Sequence, residues 1–169
     1  MKVMCFFLPL LFLTGCDLLG PVTRKLPPET QEGADTFGAL VDGVAWRPDA
    51  DGQLFPLPLA ASYSGLPRGL IIYAINRAED SGFYFSQSTV IRQEGTYPLI
   101  HDSNHFWAHF RIGEKMYHPV GTDGGFITIT KLDTVEIGFV SGTFFFDAVN
   151  KEDSTDIIHI TDGRFDVRF

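Results

Sequence analysis

Short runs of apolar and β-branched residues, each bounded by turn signals, fill the chain from Phe37 to its last residue. The turn signals recur every ~8–12 positions, a spacing typical of antiparallel sheets. No window of ~12 residues has the 3.6-residue apolar period of an amphipathic helix. The sequence therefore predicts an all-β fold, an antiparallel β-sandwich or barrel of about ten short strands.

Two Asp-Gly pairs are the strongest hairpin signals in the chain. Asp42-Gly43 lies between two apolar runs near the start of the domain, and Asp162-Gly163 lies between Ile157–Thr161 and Arg164–Phe169. A type I′ turn needs positive φ at both central positions, which Asp-Gly accepts more readily than most pairs. We expect a tight hairpin at each of the two sites.

The run Gly69–Asn76 is apolar at nearly every position. A strand that shows no alternation between apolar and polar residues is typically covered on both faces. We therefore expect Gly69–Asn76 to be a central, fully buried strand.

The stretch His105–Ile112 alternates with a period of two. On a strand, alternate residues point to opposite faces of the sheet. One face would carry apolar residues toward the core, namely Phe106, Ala108, Phe110 and Ile112. The opposite face would carry His105, Trp107, His109 and Arg111.

These four residues have the composition of a ligand-binding surface. An aromatic ring flanked by hydrogen-bonding groups suits a sugar or an anion, so we take His105, Trp107, His109 and Arg111 as candidate ligand-binding residues. The structural alternative is that Trp107 packs under a second sheet while the histidines are solvated, because buried tryptophan is common in β-sandwiches.

A helical alternative would give the same stretch a different chemistry. His105 and His109 have the four-residue spacing of a zinc pair on a helix. On a strand the same spacing places them about 13–14 Å apart, too far for one metal ion. The alternation favours the strand, and we therefore expect no metal, no cofactor and no catalytic residue here.

Two acidic stretches have a partial likeness to calcium loops, Asp49–Gly52 and Lys151–Asp156. Neither has the full ligand series or the bidentate glutamate at its twelfth position. We expect both to be solvated acidic turns. The chain also has no nucleophile elbow, no phosphate loop and no paired-cysteine site.

The start of the chain has the parts of a bacterial lipoprotein signal. Lys2 supplies a positive charge, an apolar run extends from Val3 to Leu13, and Leu13-Thr14-Gly15-Cys16 has the pattern of a lipobox. The apolar run is about half the ~20 residues that a membrane-spanning helix needs. We expect cleavage before Cys16 and lipid attachment to it; a plain secretory signal is the alternative.

The signal divides the rest of the chain into a tether and a domain. Residues 1–15 would be the signal peptide, and 16–36 a lipidated cysteine with a flexible tether, since this proline-rich stretch holds no aromatic residue. Residues 37–169 would form a single β domain. The only other cysteine, Cys5, lies in the signal peptide, so no disulfide is expected in the mature chain.

The charge balance limits the classes of partner. The chain has 13 basic and 21 acidic residues, a net charge of −8. This acidity excludes nucleic acid as an expected partner and gives no attraction to anionic lipid. Contact with the membrane is therefore expected through the lipid on Cys16, in the bacterial cell envelope. The pattern is compatible with either membrane.

Several segments of the domain resemble a family of small Bacteroidetes lipoproteins. The likeness rests on Phe126–Asp133, on Val140–Phe146, which contains Ser-Gly-Thr-Phe from Ser141, and on Ile160–Val167, which starts with Ile-Thr-Asp-Gly. Phe37–Trp46 is similar to the opening hairpin of that family. The resemblance implies an envelope location and a β fold, and it implies no activity.

Three functional hypotheses follow, from different classes. The first is a non-catalytic binding or accessory module, whose partner would be a glycan, a peptide or another envelope protein. The second is a structural or assembly subunit of a surface complex, joined through exposed edge strands. The third is a metal-dependent hydrolase, which requires the helical form of His105 and His109.

Overall fold

The computed structural model describes residues 25–64, 69–89, 91–100, 105–121, 124–135 and 137–169. Within these ranges no helix is long and apolar enough to cross a bilayer. The strands are β1 (Thr36–Val41), β2 (Val44–Trp46), β3 (Leu59–Ser64), β4 (Gly69–Asn76), β5 (Ser81–Gln87), β6 (Gly95–Pro98), β7 (Trp107–Ile112), β8 (Lys115–Pro119), β9 (Gly125–Asp133), β10 (Phe139–Asn150) and β11 (Ile157–Arg168).

All eleven strands belong to one antiparallel sheet that curls into a half-barrel. Its main path runs β2-β1-β11-β10-β8-β7-β5-β4-β3, while β9 pairs with β10 and with β6. The prediction of an all-β antiparallel fold is confirmed. The two ends of the path are β2 and β3, and the assembly hypothesis would seat a neighbouring chain at one of these edges.

The inner face of the curled sheet holds an aromatic core. Phe83 lies at its centre, with its ring centroid 4.6 Å from that of Phe110 and 4.8 Å from that of Trp46. Phe144 packs 4.8 Å from Phe85 in the same cluster. Burying large rings supplies much of the hydrophobic free energy of a domain, and a curled sheet encloses them without a second layer.

The two Asp-Gly pairs have different roles. Asp42 and Gly43 have φ values of 48° and 79° and join β1 to β2, which confirms the first hairpin. Asp162 also has a positive φ, of 50°, but the second hairpin prediction is wrong. The chain passes through Asp162-Gly163 as a β-bulge within β11, because residues on both sides of it pair with β10 and with β1. A bulge uses the same positive φ to insert one extra residue.

The strand β4 has the predicted bounds but not the predicted burial. Its inward residues Leu70, Ile72 and Ala74 are at most 1% exposed. The residues between them, Ile71, Tyr73 and Ile75, are only half-buried. The expectation of a fully buried strand is therefore wrong, since β4 lies next to the edge strand β3 and its outer face is open.

Residues 30–35, which we call the N-terminal strap, are bound to the sheet through Asp166. The side chain of Asp166 lies in β11 and the residue is 1% exposed. Its carboxylate accepts hydrogen bonds of 2.7–3.1 Å from the hydroxyls of Thr30 and Ser141 and from the backbone N–H groups of Glu32, Gly33 and Ala34. The sequence predicts a flexible tether over 16–36, whereas these contacts fix its second half on the domain.

Burial by itself raises the pKa of Asp166, because it disfavours the charged carboxylate. The hydrogen bonds from Ser141, Thr30 and the strap backbone outweigh that effect and lower the pKa to about 2. The carboxylate that holds the strap is therefore charged at neutral pH. The predicted lipobox and Cys16 lie outside the described residues.

Candidate functional site

The strand β7 has the faces that the alternation predicts. Phe106, Ala108 and Phe110 point into the core and are at most 1% exposed. Ile112 is an exception, because it is 44% exposed at the end of the strand. The helical alternative is wrong, since residues 107–112 pair as a strand with β5 and β8.

The outer face of β4, β5 and β7 is built from three cross-strand rows. The central strand β5 turns Phe83 and Phe85 inward, so the residues between them point outward. The register of the two strand pairs aligns Ile71 with Ser86 and Trp107, Tyr73 with Tyr84 and His109, and Ile75 with Gly82 and Arg111. Three residues of the sequence-predicted site thus lie in adjacent rows of one surface.

Four rings on this face form a contiguous cluster that we call the aromatic platform: Tyr84, Trp107, His109 and His118. His109 stacks on Tyr84 with centroids 5.2 Å apart and an angle of 15° between the ring planes. The ring of Trp107 makes T-shaped contacts with His109 and with Tyr84, with centroids 4.8 Å and 5.5 Å apart. His118, from β8, closes the cluster 6.1 Å from Trp107.

The platform is on the outside of the half-barrel, and all four residues are half-buried there. Trp107 does not pack under a second sheet, because every described strand belongs to the one curled sheet. The buried tryptophan is Trp46, which is 4% exposed and donates its indole N–H to the Ser81 hydroxyl at 2.8 Å. The rings of the platform are thus supported by one another and remain accessible from solvent.

Beside the platform is a pocket of about 390 Å³, which we call the Gly82 hollow. Gly82 has no side chain to fill the space between Ile75 and Arg111 in its row. The pocket is also lined by Pro56, Tyr73, Ser81, Phe83, Tyr84 and His109. Its walls are therefore mainly apolar and aromatic, with a guanidinium at one side.

The charge at the hollow comes from Arg111. Its guanidinium donates to the Asp80 carboxylate at 2.8 Å and to the Gly113 carbonyl at 2.6 Å, which holds it in place. Hydrogen bonding and the charge of Arg111 lower the pKa of Asp80 below its ordinary value. The side chain of Arg111 is 39% exposed, so it can still be reached by a ligand.

The structure places three of the four candidate residues in adjacent rows of one face. Trp107 and His109 belong to the platform, and Arg111 stands one row further along, at the hollow. His105 is half-buried in the bend before β7 begins. Sequence reasoning missed the partners from other strands, namely Tyr73, Asp80, Gly82, Tyr84 and His118. Only the pairing register of β4, β5, β7 and β8 brings them here.

The two acidic stretches are hydrogen-bonded turns. Asp49 accepts a hydrogen bond of 2.9 Å from the backbone N–H of Asp51. Asp156 accepts hydrogen bonds from Lys115, Tyr117 and Asn150 at 2.8–3.0 Å, and the pKa of Asp156 is lowered to about 2, first by Lys115. Among the residues that the structure describes, no group of three or more His, Cys, Asp or Glu is arranged to hold a metal ion.

Comparison with known proteins identifies a domain family. The model of DUF6252, a domain of unknown function, matches residues 36–167. No curated protein and no solved structure matches the chain. The match extends from the first residue of β1 to Val167, one residue before the end of β11, and includes the platform and the hollow.

Proposed function

The chain belongs to the DUF6252 family, and we propose that it is a lipid-anchored binding module of the bacterial cell envelope. Its binding surface would be the aromatic platform together with the Gly82 hollow. The anchor would be the lipid on Cys16, in line with the lipobox pattern Leu13–Cys16. The module would be non-catalytic and would bind its partner without changing it.

The aromatic platform is the observation that carries this proposal. Trp107 and Tyr84 place large rings on the outer face of the sheet, where both are half-buried and in contact with each other. Aromatic rings are enriched at binding surfaces, because they supply apolar area with little conformational entropy to lose. The adjoining hollow supplies concavity, which small-molecule sites require.

The strap supports a particular orientation of the anchored domain. The chain from the proposed lipid reaches the sheet through the strap, which Asp166 holds at β11. Two strands, β10 and β8, separate β11 from β7 along the curled sheet. The platform would therefore point in a different direction from the anchor, which favours presentation away from the membrane.

Replacing Cys16 by alanine should release the protein from the membrane. The thiol is the acceptor of the lipid, so the variant has nothing to hold it at a bilayer. Membrane fractionation of cells that express wild type or Cys16→Ala gives the measurement. We expect wild type in the membrane fraction and the variant outside it; equal partition of both into the soluble fraction would disprove the anchor.

Replacing Trp107 by alanine should abolish binding by the platform. A glycan and peptide array probed with the purified domain identifies the partner, and the variant should lose at least tenfold in affinity for it. Phe145→Ala is the matched control, because Phe145 is an aromatic residue of β10 that is 52% exposed and lies outside the platform. We expect the control to bind like wild type.

Two results would contradict the binding module. The first is a wild-type domain that binds no member of the array. The second is an equal loss of affinity in Trp107→Ala and Phe145→Ala, which would place the binding surface elsewhere. Thermal melts of both variants accompany the array, so that a loss of folding is recognised as such.

A further inference from the structure

We propose that the Gly82 hollow binds a sugar unit that carries a carboxylate, such as a uronic acid residue of an acidic polysaccharide. The inference rests on the proposed function, since the hollow adjoins the platform and shares Tyr84 and His109 with it. It adds the chemical class of the ligand. Shape, the nature of the walls and charge each support this class.

The shape of the hollow suits a single ring. Its volume of about 390 Å³ is toward the small end of ligand pockets, which span roughly 300–1,000 Å³. The hollow exists because Gly82 leaves a gap in the row between Ile75 and Arg111. A side chain at position 82 would occupy the centre of this gap.

The walls of the hollow suit the apolar face of a sugar. Tyr73 and Tyr84 are cross-strand neighbours on β4 and β5 and both line the pocket. The faces of aromatic rings are electron-rich and attract the weakly positive C–H groups of a pyranose. Pro56 also lines the pocket, and Arg77 donates a hydrogen bond to its carbonyl at 2.7 Å.

The charge of the hollow selects an acidic sugar over a neutral one. Among the described residues that line the pocket, Arg111 carries a permanent positive charge, in a chain of net charge −8. A guanidinium binds a carboxylate with two parallel hydrogen bonds, which adds geometric specificity to the attraction. Asp80 competes for the same guanidinium, at 2.8 Å, and its side chain is 70% exposed.

The position of the hollow argues against a peptide that binds as an added strand. Such peptides use the main-chain groups of an open sheet edge. The hollow lies over β4, β5 and β7, and the central strand β5 is paired on both sides. Its backbone groups are therefore committed to the sheet, and recognition must come from side chains above it.

Titration of the full chain with methyl glucuronide and with methyl glucoside tests the inference. The two sugars differ only at C6, where the glucuronide has a carboxylate and the glucoside a hydroxymethyl group. Binding is followed by tryptophan fluorescence and by the NMR signal of the Trp107 indole, which lies against Tyr84. We expect the glucuronide to bind at least tenfold more tightly than the glucoside and to shift the Trp107 signal.

Variants at the hollow test whether the glucuronide binds there and whether the positive charge of Arg111 contributes to its affinity. Arg111→Ala should weaken binding of the glucuronide at least tenfold, and Gly82→Val should abolish it by filling the gap. A Cβ at Gly82 would lie 3.0 Å from the Ala74 carbonyl oxygen, so the backbone must shift by a few tenths of an ångström, and a thermal melt of Gly82→Val checks that the variant folds. Arg92→Ala, at an exposed position outside the pocket, is the matched control.

Asp80→Asn gives a test that misfolding does not imitate. The substitution removes the carboxylate that competes for Arg111, so the glucuronide should bind more tightly, by about threefold to tenfold, while the glucoside should be unaffected. Asp80 has a φ of 44°, and asparagine accepts that conformation. A gain of affinity would be direct support for an anion at Arg111.

Several results would overturn the inference. If both sugars bind with equal affinity and both shift the Trp107 signal, the proposed binding module is supported but the proposal of an acidic ligand is wrong. If the capped peptide acetyl-Gly-Asp-Gly-amide binds more tightly than the glucuronide, the ligand is a peptide. If the glucuronide binds and Gly82→Val has no effect, the site lies elsewhere. If neither sugar binds while the array of the previous section finds another partner, only the sugar class is lost.

Discussion

Replacing Phe110 by alanine should lower the free energy of unfolding by about 3–5 kcal/mol, the usual loss for a large buried aromatic side chain. Phe110 is 1% exposed and packs against Phe83 with 4.6 Å between ring centroids. It also meets the edge of Trp46 at 6.3 Å. Truncation would leave a cavity that the paired strands on either side prevent from closing.

Trp107→Ala is the matched comparison on the other face of the same strand. Trp107 is half-buried and packs on the other rings of the platform, so we expect a loss of only about 1–2 kcal/mol. Thermal and denaturant melts of both variants give the measurement. Equal, large losses would mean that Trp107 is a structural residue, and a small loss at Phe110 would mean that the faces of β7 are reversed.

Asp166→Asn should cost about 3–5 kcal/mol, because a buried carboxylate with several donors is replaced by a neutral amide. The amide nitrogen of asparagine cannot accept a hydrogen bond, so it would be placed against N–H and O–H groups that also donate. Asparagine keeps one acceptor oxygen, so the donors to the other lose their partner. These are Gly33 and Ser141 if the amide nitrogen replaces Oδ1, and Thr30, Glu32 and Ala34 if it replaces Oδ2. Denaturant melts measure the loss, and faster hydrogen exchange at Gly33 and Ala34 would show that the strap has been released.

Glu114→Gln is the control for loss of one negative charge, since Glu114 is exposed in the turn between β7 and β8. We expect a change within about 0.5 kcal/mol. A comparably small effect at Asp166, with unchanged exchange at Gly33, would show that the carboxylate does not hold the strap.

The pH dependence of stability gives Asp166 a second signature. The pKa of Asp166 is lowered from 3.8 to about 2 in the folded state, so its contribution is complete above pH ~4 and is lost as the pH falls through about 2. The shift corresponds to about 2 kcal/mol. Wild type should therefore lose more stability than Asp166→Asn between pH 4 and pH 2.

The sequence predicts the strands well, because a buried face and turn residues leave a local signature. The period of two places Phe106 and Phe110 in the core, and Asp42-Gly43 marks a real hairpin. The same local signal misleads at Asp162-Gly163. A positive φ suits either a turn or a bulge, and the choice depends on whether β1 and β10 extend past both residues, which the local sequence does not contain.

The candidate site is only partly predictable for a similar reason. Alternation identifies Trp107, His109 and Arg111 as one face of a strand, since all three lie within a single run. Tyr84 and Gly82 join them through the pairing of β5 with β7, and the register of two strands is not visible in either alone. The hollow depends on Gly82, which has no side chain, and the resulting space is defined in part by neighbours on other strands.

Both ends of the domain meet inside the sheet, because the C-terminal strand β11 lies between β1 and β10. Thr30 and Asp166, which share a hydrogen bond, are 136 residues apart in the chain. The sheet therefore cannot form during synthesis until β11 has left the ribosome. Folds dominated by such distant pairings form in about milliseconds to seconds. Such slow folding would suit the envelope location that we propose, because a polypeptide that is exported through a membrane channel must stay unfolded until it has crossed.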